Sequence, residues 1–211
     1  MHTQENRRYK IAIDIMGGDF APVNEIQGII EAAGESSGSI KFFLVGDEIK
    51  ISEELKKYDT NGLSYEIIPT DQIVSMHDEP TDVLKHKQNS SLYKGIELHK
   101  NKHVDAYISA GNTGAVLACS TILLGRLEGV SRPTIGSLFP TVVDKPAFIL
   151  DVGANAEVKA KFLLEFGIMG SIFMQNVFNL EKPKVALLNI GEEETKGTDL
   201  QKEANKLKGL L

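Results

Sequence analysis

The chain has 211 residues, 42% apolar and 25% charged, with 19 glycines and no tryptophan, which is the make-up of a globular protein able to bury a sizeable core. A formal net charge of −6 argues against a broad nucleic-acid footprint, and a lone cysteine, Cys119, rules out an internal disulfide and suits a reducing cytoplasm. The polar start, Met1 to Arg8, lacks the apolar stretch of a signal peptide, and no apolar run approaches the ~18 residues of a membrane span.

Taken in order, 1–8 reads as a disordered N-terminus and Tyr9 to Ile15 as a strand buried on both faces. Met16-Gly17-Gly18-Asp19-Phe20-Ala21-Pro22 interrupts it. Pro22 suits the first turn of a helix running to about Ala33. Ile40 to Val45 is a second strand, followed by a helix over Glu48 to Lys57, and Tyr65 to Ile68 is a third strand. Strands alternating with helices predict βαβ units and a parallel sheet. Asp71 to Ser91 has no strand pattern. Thr81 or Asp82 suits a helix cap, and a further helix is expected from Ser90 to about Lys102. Lys85, His86, Lys87, Lys94, His99, Lys100, Lys102 and His103 make this the most basic part of the chain. It reads either as a solvated helical face or as a patch for an acidic partner or a phosphate. The stretch 71–103 is read as a flap or inserted subdomain in an otherwise single α/β domain over 9–211.

Val104 to Ile108 predicts a short strand and Ala115 to Leu124 a buried helix. Between them lies Ser109-Ala110-Gly111-Asn112-Thr113-Gly114. Glycine permits the tight turn and lets a ligand approach the backbone. A helix start presents unpaired N–H groups and the positive end of the dipole, which favour an anion. The loop therefore suits a phosphate or a developing oxyanion, although Asn112 or Thr113 serves equally as a plain helix cap. Short apolar runs follow at Ile135 to Phe139 and Ala147 to Leu150. Asp151-Val152-Gly153-Ala154-Asn155 then leads into a helix over Val158 to Phe178, and Val185 to Ile190 predicts a strand before a glycine-bearing loop and a last helix from Asp199. The strand–loop–helix device thus recurs after Ile15, Ser109, Asp151 and Ile190, and these loops are expected to converge on one cleft beyond the carboxyl ends of the strands.

Four motifs, MGGDFAP at 16–22, SAGNTGA at 109–115, DVGANAEVKA at 151–160 and LLNIGEEETKG at 187–197, resemble in order and spacing the phosphate acyltransferases of bacterial phospholipid synthesis (PlsX type). The resemblance runs from about Tyr9 to the last residue. Those proteins continue well past the equivalent of Leu211, so the chain reads as the N-terminal two-thirds of the family's length. The resemblance implies an α/β/α sandwich on a parallel sheet, like that of isocitrate and isopropylmalate dehydrogenases and phosphotransacetylase. It implies a transferase, with no cofactor, that moves a fatty acyl group from acyl carrier protein onto inorganic phosphate to give acyl phosphate. It further implies a cytoplasmic homodimer with peripheral contact at the inner face of the membrane.

The five histidines are scattered and supply no metal constellation; Asp14, Asp19 and Asp151 read either as a shared divalent-cation site or as loop caps, and caps are the commoner use of such carboxylates; no Ser/His/Asp or Cys/His triad can be assembled. The absence of a nominated base suits direct attack by phosphate, with the protein positioning reactants and stabilising the oxyanion. Asn112, Thr113 and Lys85 are the candidate catalytic residues. Ser109, Gly111, Gly114, Gly17, Gly18, Asp19, Asp151, Asn155, Arg132 and Lys87 are the candidate phosphate-binding residues. Two other functions compete: a non-catalytic module that holds acyl carrier protein or a phosphorylated ligand, and a dehydrogenase of similar fold.

Overall fold

The computed structural model describes residues 8–143, 145–191, 193 and 196–207. Of the expected N-terminal tail, 1–7 lies outside the described residues; Arg8 donates through Nε to the Gly38 carbonyl. The chain packs as two compact units, one ending at Gly125 and the other beginning at Arg126.

The first unit is a four-stranded parallel sheet ordered β3-β2-β1-β4, where β1 is Tyr9–Asp14, β2 Ile40–Gly46, β3 Tyr65–Pro69 and β4 Ala106–Ile108. Three crossovers join these strands: α1 (Val23–Ser36), α2 (Glu48–Leu55), and the pair α3 (Pro80–His86) and α4 (Ser91–Lys100). β2 is central and reads Ile-Lys-Phe-Phe-Leu-Val-Gly, apolar on both faces because both are covered. Phe42 and Leu44 pack with Ile15, Ile26, Ile29 and Ile51 under α1 and α2. Phe43 and Val45 pack on the opposite face with Ala12, Val104 and Leu98, under α4. A third cluster, Val74, Val83, Leu92, Ile96, Ala115 and Cys119, joins α3 and α4 to α5 (Thr113–Leu124). Val74, Val83, Leu92 and Ile96 of the 71–103 segment are thus core residues, and a parallel bridge pairs Gln72 with Ser90.

Local chemistry sets the element ends. Asp47 caps α2 by accepting from the Ile49 and Lys50 N–H groups, and Ser90 caps α4 through Tyr93 N–H. Pro80 opens α3 at its first turn, and Glu79, not Thr81 or Asp82, occupies the cap position without a side-chain bond. α5 begins at Thr113, two residues before the start read from sequence, because Asn112 caps it.

The second unit contains an antiparallel pair, β5 (Gly136–Phe139) with β6 (Ala147–Leu150), and two helices, α6 (Ala160–Phe178) and α7 (Asp199–Leu207). Phe148 of β6 stacks on Phe173 of α6 at 4.3 Å. The strand expected over Val185 to Ile190 does not form: these residues are irregular, with Leu188 and Ile190 exposed. A strand needs a neighbouring backbone to pair with, and apolar alternation alone does not provide one.

Candidate functional site

Sheet order locates the first unit's site. The chain steps outward from β1 through β2 to β3, then returns to the other side of β1 with β4. β1 and β4 are the strands at which the order reverses, and in open parallel sheets ligands bind in the crevice beyond the carboxyl ends at that point. The loops leaving those two ends are Met16–Pro22 and Ser109–Asn112, two of the four glycine-bearing loops of the sequence.

One carboxylate ties them together. Asp14 ends β1 and is 1% exposed. Its Oδ1 accepts from Met16 N–H at 3.1 Å, and its Oδ2 from the Ser109 hydroxyl at 2.8 Å. Ser109 Oγ in turn accepts from Gly111 N–H at 3.0 Å. The two turns are then in backbone contact. A Cβ on Gly17 would stand 2.5 Å from Asp14 Oδ2 and 3.0 Å from Gly111 Cα, and a Cβ on Gly111 would stand 3.1 Å from Gly17 Cα. A side chain at Gly17 would force Asp14 to shift, and one at Gly111 would be tighter than ordinary contact. Gly17, Gly18, Ser109 and Gly111 are therefore brought together, while Asp19 is exposed on the turn.

Asn112 performs two structural tasks. Its Oδ1 accepts from Ala115 N–H at 3.0 Å, capping α5. Its Nδ2 faces the carbonyls of Ser75, Met76 and Asp78 at 3.1, 3.3 and 3.0 Å. The side chain thus clamps the 75–78 segment to the start of α5. Lys87 grips the same segment from the other end, donating to the Ile73 carbonyl at 2.8 Å and pairing with Asp78 at 2.5 Å. Lys87 holds the Asp78 carboxyl below its ordinary range, helped by Ser75 N–H. Thr113 and Gly114 form the exposed first turn of α5, where main-chain N–H groups lack intrahelical acceptors. Gly114 lies 3.3 Å (from a notional Cβ) from Pro80, the first residue of α3, and Lys85 on that helix is exposed.

The electrostatics around Asp14 are unusual for an anion site. Tyr107 on β4 buries its hydroxyl without a hydrogen bond, and burial, with Asp14 beside it, pushes its ionisation well above the ordinary 10.0. Its ring fits because residue 95 on α4 is glycine; a Cβ there would collide with it. Glu25, in the first turn of α1, is also raised, by burial first and by Asp14 as well. Cys119 lies in the core with its thiol pushed up to about 11, which leaves it an unreactive packing residue.

Sequence reasoning did not find Glu25 or the 75–78 segment. The signal for Glu25 was present: an acid three residues after Pro22, in the first turn of a helix that follows a glycine pair. Nothing local marks 75–78, because its role comes from a partner 34 to 37 residues away.

In the second unit, Asp151 Oδ1 and Oδ2 accept from Ala154 and Asn155 N–H at 2.9 and 3.0 Å. Asn155 Nδ2 donates to the Pro133 carbonyl at 3.1 Å, and its Oδ1 accepts from Arg132 Nε. Arg132 also lies over the Phe162 ring. Asn155 thus links Asp151 to Arg132 through its main-chain N–H on one side and its side-chain oxygen on the other. Beside it, Asp151, Asn155, Phe148, Leu163, Met174 and Leu188 are among the lining of an open cavity of about 1200 Å³. Gly191 and Glu193 line the same cavity.

A family model described as a fatty acid synthesis protein matches residues 9–209. The chain belongs to that family. Among curated relatives it is similar to the phosphate acyltransferase of Dictyoglomus thermophilum, 46% identical over 198 residues that cover 94% of this chain and 58% of the relative. It is likewise similar to that of Fusobacterium nucleatum, 48% identical over 196 residues, covering 92% and 58%. The chain thus spans less than three-fifths of the length of these relatives. Among solved structures it resembles a phosphotransacetylase from Streptococcus pyogenes with a TM-score of 0.68 at 16% identity, covering 96% of this chain and 65% of that one. The EutD phosphotransacetylase from Staphylococcus aureus gives 0.63 at 21% identity, covering 96% and 64%. Both likenesses confirm the α/β fold class. Among the described residues no helix is long and apolar enough to cross a membrane.

Proposed function

We propose that this protein transfers a fatty acyl group from the thioester of acyl carrier protein onto inorganic phosphate, forming acyl phosphate for phospholipid synthesis. The observation that carries the reading is the meeting of two glycine turns at the β1/β4 switch point, in a chain that belongs to this family.

In this reading a phosphate oxygen attacks the thioester carbonyl carbon, the C–S bond breaks, and the proton of the phosphate hydroxyl ends on the departing sulfur. The first-turn N–H groups of Thr113 and Gly114 face the anion with the helix dipole behind them, and the Thr113 hydroxyl and Lys85 add donors and charge. Gly17, Gly18 and Gly111 let the reactants approach the main chain. Ser109 and Asn112 serve as positioning residues, because their side chains already hold Asp14, Gly111 and the 75–78 segment. Acyl carrier protein, which is acidic, meets the exposed cations Lys85, His86, Lys100, Lys102 and His103.

Incubating the chain with acyl-[acyl carrier protein] and phosphate tests the reading directly. Acyl phosphate is the expected product; none from a well-folded preparation would overturn catalysis by this chain. Retained carrier-protein binding in that case, weakened by salt, would mark a non-catalytic module.

A further inference from the structure

Glu25 stands where an anion would be welcome. A Cβ on Gly18 would collide with its Oε1, so the carboxyl lies directly on the glycine turn, with Ala110 of the second turn 3.7 Å from the same notional Cβ. The main-chain N–H groups of Gly18 and of Glu25 itself act on the carboxylate. Its Oε2 is buried and makes no hydrogen bond. A carboxylate oxygen is a strong acceptor, and leaving one buried and unpaired is unfavourable.

Nor does a cation compensate it among the described residues. From β1 the buried Asp14 faces it and opposes its ionisation. Asp19 of the turn is exposed, and Tyr107 on β4 stays neutral. On α2, packed against α1, Lys50 pairs with Asp47 and Lys57 with Glu54; on β2, Lys41 pairs with Glu66. A negative charge thus occupies a turn whose glycines and N–H groups suit a negative ligand.

We propose that the Glu25 carboxylate is a built-in anion on the Gly17–Gly18 turn, which inorganic phosphate must displace or repel in order to bind. The proposal rests on the phosphate site described above. It makes Glu25 a residue that sets phosphate affinity without touching the reacting atoms. Its raised ionisation has a direct consequence. As pH falls toward the ordinary carboxyl value of 4.5, Glu25 protonates before a free carboxyl does, and the competition eases.

Phosphate binding measured by titration calorimetry on the intact chain, Glu25→Gln and Glu25→Ala provides the test. Both variants are expected to bind inorganic phosphate about tenfold more tightly than the unmodified chain at neutral pH, the effect of removing one nearby like charge. The ratio of Glu25→Gln to unmodified affinity is expected to shrink toward one as pH is lowered; phosphate's own titration cancels in that ratio. Thermal melting of each variant runs alongside, and if Glu25→Ala fails to fold, Glu25→Gln carries the comparison. Equal affinities, or weaker binding by the variants, overturn the proposal while leaving the phosphate site standing. Absence of phosphate binding in all three overturns both. A lower melting temperature with unchanged affinity assigns Glu25 a structural role only and also overturns it.

Discussion

Asn112 shows how much one side chain at a loop–helix junction can hold. Its oxygen caps α5 and its nitrogen faces three carbonyls of 75–78. The two tasks separate by substitution. Asn112→Ala loses both and is expected to cost about 0.5–2 kcal/mol for the cap, with more from the stranded carbonyls. Asn112→Asp keeps the cap but aims a carboxylate at those carbonyls, so equilibrium urea unfolding should rank stability as unmodified, then alanine, then aspartate. An aspartate variant as stable as the parent would show that the clamp contributes nothing. Ser109→Ala strips the donor from the buried Asp14 Oδ2 and the acceptor from Gly111 N–H, an expected loss of about 1–3 kcal/mol in the same assay. Gly17→Ala forces a methyl against Asp14 and the facing turn and is expected to lose about 1–3 kcal/mol together with phosphate binding.

At the scale of elements, β2 carries the first unit. Phe42 and Leu44 serve one layer and Phe43 and Val45 the other. Leu44→Ala, at a position with no exposure, is expected to lower stability by about 2–5 kcal/mol, read from urea unfolding. Two helix-linked clamps predict the acid response. The Asp78 carboxyl is lowered by Lys87 and Ser75, and the Glu165 carboxyl of α6 by its bonds to Ser131 and by Lys161. Each contributes stability that is present above the ordinary values of 3.8 and 4.5 and is lost as pH falls through the lowered ones. Glu25 has the opposite sign: its raised value means that ionisation opposes folding, and acidification relieves it. Urea midpoints followed from pH 6 downward should therefore fall most steeply below the ordinary carboxyl range, about pH 4. Asp78→Asn and Glu165→Gln should each flatten that fall; parallel curves would remove the clamps from the explanation.

For the whole molecule, the boundary at Gly125 and Arg126 predicts how it comes apart. Arg126 is exposed in an irregular stretch, so limited trypsin digestion should cut after it and leave a resistant fragment holding the β3-β2-β1-β4 sheet. Preferred cutting inside α1 or α2 would contradict that division. What could be read along the chain was set by near neighbours. Apolar runs marked β1, β2 and β3, glycine pairs marked the turns, and Ser90 announced a helix start, because these preferences act over a few residues. The family motifs, too, were contiguous. The tertiary structure alone decided which strand ends became neighbours, and so which two of the four glycine-bearing loops meet beside β1. It decided that the Asn112 and Lys87 side chains hold 73–78, and that Glu25 lies on Gly18. It also left Val185 to Ile190 unpaired despite a strand-like sequence. The reason is common to all of these: each depends on what stands across a gap in space, and a linear order of residues carries no information on who faces whom until the backbone has closed.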